Sequence, residues 1–333
     1  MPASPPPTIA ALAASGTIGP DDVRRLRGTV YANGVVCAEE AEWAILLDEA
    51  ATRVCPDWTE FFIGSLTDYV VRQEPPEGYV SDANAAWLIS RISRDGVVKT
   101  SSELELLIKV LEVSVSSPPS LSAFALRQVA SAVIDGQGPL ADGSELQPGV
   151  IGAAEVAILR RILFAFGGDG AIGITREEAE VLFDLNDRSL EAGNDVAWSD
   201  LFVKAIANFL MASKGYSVLS RREALRREDW LDEPPRGVTA LFGDMTSALL
   251  ANGLKGIWRD WREEETAQAV GNREALAEIQ AAEVVTSDEV RWLAERIGRD
   301  GVIHENERAL LRFLREESPD IHPSLRTLLD TAA

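Results

Sequence analysis

The sequence predicts an all-α protein of two tandem homologous helical modules, with a helical insertion in the second. Three observations predict it. Apolar residues recur at helical spacing along the chain, a long stretch of the first half returns in the second, and four Asp/Asn-Gly loops separate helices at matching places.

The periodicity comes first. Residues 39–53 carry Ala41, Ile45, Leu46 and Ala50 on one face, and residues 102–115 carry Leu104, Leu107, Ile108 and Leu111. Residues 289–297 show Val290, Leu293, Ala294 and Ile297, and residues 305–316 show Ala309, Leu310, Phe313 and Leu314. This is the spacing of an amphipathic helix, and no alternating run of strand length competes with it. Ser81-Asp82 and Ser287-Asp288 stand where helix N-caps belong.

The repeat comes second. Trp87-Leu88-Ile89-Ser90-Arg91-Ile92-Ser93-Arg94-Asp95-Gly96-Val97-Val98 matches Trp292-Leu293-Ala294-Glu295-Arg296-Ile297-Gly298-Arg299-Asp300-Gly301-Val302-Ile303. Eight of these twelve positions are identical, which chance explains poorly. Upstream, Asp57-Trp58-Thr59-Glu60-Phe61-Phe62-Ile63 resembles Ala197-Trp198-Ser199-Asp200-Leu201-Phe202-Val203. Further back, Ile18-Gly19, Val23, Leu26 and Arg27 correspond to Ile151-Gly152, Val156, Leu159 and Arg160. Trp58 and Trp198, and Trp87 and Trp292, therefore read as core residues.

These matches give residues 16–136 as the first module and 149–331 as the second, joined by a linker at 137–148 that is rich in Gly, Pro and Ser. Residues 1–15 hold Pro, Ala and Ser but no Lys or Arg, and read as a flexible tail rather than a secretory signal. The second module is longer by an insertion at about 215–283. Within it Met245, Leu249, Trp258 and Trp261 suit one helical face, with Arg259 and Arg262 beside them, and they are the expected partner-binding residues.

Composition narrows the function. Hydrophobic residues make up 46% and charged residues 26%, a globular balance. The net charge of −21 repels phosphate, which argues against nucleic acid and against an anionic membrane surface. No apolar run reaches membrane-spanning length, so direct membrane insertion is not expected. Two cysteines, Cys37 and Cys55, read as reduced core thiols and suit the cytoplasm. With only His304 and His322 beside them, a zinc site is not expected.

The loops come third. Asn33-Gly34-Val35-Val36, Asp95-Gly96-Val97-Val98, Asp169-Gly170-Ala171-Ile172 and Asp300-Gly301-Val302-Ile303 share one pattern, in which a helix follows within a few residues behind an acidic side chain. Glycine allows a sharp turn, and the second apolar residue points into the core. The pattern looks like the second half of an EF-hand loop, with glycine at the sixth place and an apolar residue at the eighth. That likeness implies short bridges between loops, Val36 with Val98 and Ile172 with Ile303. The twelfth place holds Glu40, Ser102, Arg176 and Glu307, and the first holds Thr29, Arg91, Ala165 and Arg296. Calcium needs six to eight oxygens, so no cofactor and no metal is expected. A weak calcium site, if any, would draw on Asp169, Glu177, Glu178, Asp300 and Glu307.

The repeated helix–Asp-Gly–helix pattern also resembles the tellurite-resistance TerB-like domains, over about residues 18–112 and 151–316. The resemblance implies an all-helical component of a stress-response or membrane-associated complex. No P-loop, dinucleotide fingerprint or nucleophile elbow is present, and no catalytic residues are singled out. The expectation is a non-enzymatic interaction or scaffold protein with a protein partner, and self-association is compatible with it. The alternative is a calcium sensor using degenerate EF-hand-like loops.

Overall fold

The computed structural model describes residues 5–75, 77–93, 96–140, 147–165, 173–212 and 287–317. They are mostly helical, as the periodicity predicts. Two compact units are present, Met1–Ala205 and Ile206–Ala333, so the unit boundary falls inside a helix rather than in the 137–148 segment.

The first unit opens with α1 (Pro7–Ser15), where the sequence reading expects a flexible tail. Proline at the first turn, an alanine-rich body and Gly16 in the left-handed conformation at the C-cap build the helix. Ile9 anchors it, fully buried, and α1 packs on α3 (Ala38–Ala50). Between them run β1 (Thr17–Ile18) and α2 (Pro20–Val30). β1 pairs in parallel with β2 (Arg53–Val54), and these two-residue strands are the only named strands among the described residues.

Helix α4 (Pro56–Thr67) is the centre of the unit and packs on α2, α3 and α6 (Ser101–Val113). Trp58, Phe62 and Leu66 are buried along it. Burying an indole of this size contributes about 4–6 kcal/mol of transfer free energy. The helix runs on as one wide π-turn, Asp68–Gln73, before α5 (Asp82–Ile92). Ser81 caps α5, its Oγ accepting the Asn84 N–H at 3.1 Å. Helix α7 (Pro119–Asp135) packs on α6, on α8 (Ala153–Leu163) and on α9 (Arg176–Arg188). Helix α10 (Val196–Ala212) crosses the unit boundary. The second unit adds α11 (Ser287–Arg296) and α12 (Glu305–Glu317).

The same local contacts recur at positions the sequence repeat pairs. The Cys55 N–H donates to the Ile18 carbonyl at 3.0 Å, and the Asp195 N–H donates to the Ile151 carbonyl at 2.8 Å. Trp58 lies 6.2 Å from Phe62, and Trp198 lies 5.9 Å from Phe202. Tyr69 meets Trp87 edge-on at 5.0 Å, and Phe209 meets Trp292 edge-on at 4.8 Å.

Both cysteines are free and neither lies in the core, since Cys37 is exposed at the start of α3 and Cys55 is half-buried just before α4. No described helix is long and apolar enough to cross a membrane.

Candidate functional site

The Asp/Asn-Gly loops are built from the backbone outward. Gly34, Gly96 and Gly301 sit at φ of 83°, 78° and 90°, a region side-chain-bearing residues avoid. The residue before the glycine folds onto its own turn. The Val35 N–H donates to Asn33 Oδ1 at 3.2 Å, and the Val302 N–H donates to Asp300 Oδ1 at 2.9 Å. Asn and Asp suit this place because a short side-chain oxygen can take an amide two residues on. Val36 and Val98 are buried as expected, and Ile303 is half-buried.

Each loop closes on the third residue of the next helix. Glu40 accepts the Cys37 N–H at 2.8 Å, Glu103 accepts the Thr100 N–H at 3.0 Å, and Glu178 accepts the Thr175 N–H at 2.7 Å. Glu307 spans its whole loop, accepting the Gly298 N–H at 3.0 Å and the His304 N–H at 2.7 Å. Thr100 and Thr175 return the bond through their hydroxyls, completing capping boxes. The recurrent acid is thus a clasp for orphan amides at a helix start.

This places the expected metal-site residues. Glu178 and Glu307 are buried and accept amides of the segment that precedes their own helix, and burial pushes the Glu178 carboxyl up. Asp300 also meets His304 Nε2 at 2.7 Å, and that bond holds its carboxyl below the ordinary carboxylate range. Glu177 is exposed on α9, apart from the Glu178 clasp. Asp169 lies outside the described residues, as do Ile172, Met245, Leu249, Trp258 and Trp261. Among the described residues, no three His, Cys, Asp or Glu side chains converge as metal ligands.

The loop-to-loop bridge between Val36 and Val98 does not form. The Val98 N–H donates instead to Gln128 Oε1 at 2.9 Å, and Gln128 Nε2 donates to the Gly96 carbonyl at 3.0 Å. A glutamine from α7 thus takes the Val98 amide and the Gly96 carbonyl. A polar residue within an otherwise apolar helix face was the available sequence signal for it.

The first apolar residue of each described loop faces outward. Val35 is 40% exposed, Val97 52% and Val302 55%. A separate feature lies between α2 and α4, a shallow cavity of about 410 Å³ lined by Arg27, Tyr31, Glu60, Phe61, Gly64 and Ser65. Compared with protein-family models, curated proteins and solved structures, the chain finds no match.

Proposed function

We propose that this chain is a non-enzymatic protein-interaction or scaffold protein of TerB-like type, working in a stress-response or membrane-associated complex. One observation carries the interaction reading, namely the outward valine at the same place in three clasped loops, Val35, Val97 and Val302. A lone exposed valine needs no explanation, but recurrence at one loop position is a pattern. The clasps hold each loop shape before any partner arrives, which lowers the ordering cost of binding.

Photo-crosslinking tests this in cells. A benzophenone amino acid at 35, 97 or 302 is expected to capture a common protein, while the same probe at exposed Arg24 or Arg127 does not. Absence of any common adduct would remove the reading. The calcium alternative has the loop carboxylates against it, because Glu40, Glu103, Glu178 and Glu307 already accept backbone amides. Calorimetric titration with Ca²⁺ separates the two. Saturable micromolar binding that Asp169→Ala and Asp300→Ala abolish would replace the scaffold reading with a sensor.

A further inference from the structure

The matched halves differ at one point that leaves a gap. In α10, Lys204 Nζ lies 2.7 Å from Asp200 Oδ1 and 3.0 Å from Oδ2, and Arg160 of α8 reaches the same carboxylate at 3.9 Å. The repeat pairs Asp200 with Glu60 and Arg160 with Arg27, and one turn further on it pairs Lys204 with Gly64. The first half therefore keeps the carboxylate and the guanidinium and lacks the ammonium. A Cβ placed on Gly64 would meet no atom within 4 Å beyond its own stretch of helix backbone. The open space is the cavity lined by Arg27, Tyr31, Glu60, Phe61, Gly64 and Ser65.

The walls are fixed. The Tyr31 hydroxyl donates to Asp68 Oδ2 at 2.9 Å, and Arg72 holds Asp68 Oδ1 at 2.8 Å. Tyr31 meets Phe61 edge-on, with ring centres 6.4 Å apart.

We propose that the groove between α2 and α4 is a socket for a lysine side chain of a partner protein. The ammonium sits against Glu60 as Lys204 sits against Asp200. The aliphatic stem crosses the bare backbone of Gly64, beside Tyr31 and Phe61. Arg27 opposes a cation, but Arg160 stands in the same place in the filled copy, so the arrangement tolerates it. The chain's net charge of −21 draws a basic partner toward the surface, and the socket selects where one lysine lands.

The inference deepens the interaction reading and rests on it for the partner being a protein. The socket itself is tested alone, on the full chain labelled with ¹⁵N. The probe is acetyl-Gly-Lys-Gly-amide, with acetyl-Gly-Gln-Gly-amide as its neutral match. The lysine peptide is expected to shift the Gly64 and Ser65 amides, with a dissociation constant on the order of 1–10 mM, and the glutamine peptide is not. Glu60→Gln and Gly64→Lys each abolish the shifts. Gly64→Lys supplies the missing side chain within the chain and melts no lower than the wild type, so the loss is not unfolding. Shifts that persist in both variants, or no shift at Gly64 in the wild type, overturn the socket. The crosslinking result stands or falls separately, because it reads the loop valines.

Discussion

Asp48 stands at the eleventh position of α3, and its carboxylate accepts the Trp58 indole N–H at 2.8 Å. Burial pushes that carboxyl up to about 6, against the lowering effect of the Trp58 bond, and the negative charges of Glu103 and Glu49 add to the rise. The folded chain thus holds this proton more tightly than the unfolded chain does. The resulting stabilisation is complete below the unfolded value near 3.8 and is lost as pH rises through about 6. The same position of α9 holds Asn186, and Trp198, which the repeat pairs with Trp58, is buried to the same degree. Asp48→Asn is therefore expected to stabilise the protein by about 1–3 kcal/mol near neutral pH, and to flatten the melting temperature between pH 4 and 7. A melt that is unchanged or lower would show that the carboxylate is not strained there. Glu307 gives a second residue-scale prediction. Its two oxygens satisfy two loop amides, so Glu307→Ala costs about 2–3 kcal/mol and speeds hydrogen exchange at Gly298 and His304.

Between elements, one cation joins helices far apart in sequence. Arg161 of α8 donates to both oxygens of Glu105, at 2.7 and 2.9 Å, and to Glu112 at 2.8 Å, all on α6. These carboxylates hold the guanidinium charged well above its ordinary range. Arg161 and Glu105 are each more than a third exposed, so solvent screens the cluster, and Arg161→Met is expected to cost about 1 kcal/mol at low salt and less in molar salt. Helix spans were legible from apolar spacing, and the clasp was legible as a recurring acid after each loop. Its role was not, because a glutamate that caps an amide and one that binds calcium occupy neighbouring places. Helix α1 was missed because proline and alanine read as tail when the partner that buries Ile9 is α3, far along the chain. Gln128 was missed for the same reason, since its loop partners Gly96 and Val98 lie a whole helix away.

At the scale of the whole molecule, the repeat and the compact units have different borders. The repeat changes over at 137–148, whereas the first unit runs to Ala205. Helix α7 carries the difference, because its buried residues, Leu126, Val129 and Val133 among them, belong to a helix that packs on α8 and α9 as well as on α6. A fragment ending at residue 136 leaves that face bare, and it is expected to bind a hydrophobic dye and melt without a sharp transition. A fragment ending at Ala212 keeps α8 to α10 and melts cooperatively. Equal cooperativity in both fragments would make each repeat a self-sufficient folding unit.

The Glu40 and Glu103 clasps lie wholly on the helix side of their glycine turns, and that has a use in protein engineering. From glycine to clasping acid the spacing drifts from six residues in Gly34–Glu40 to seven in Gly96–Glu103, with the bond intact in both. The stretch between turn and clasp is slack that evolution has already let out. A peptide epitope spliced just after Val35 would hang from this slack while α3 still starts on its own glutamate, giving a handle for antibodies that leaves the helices in register.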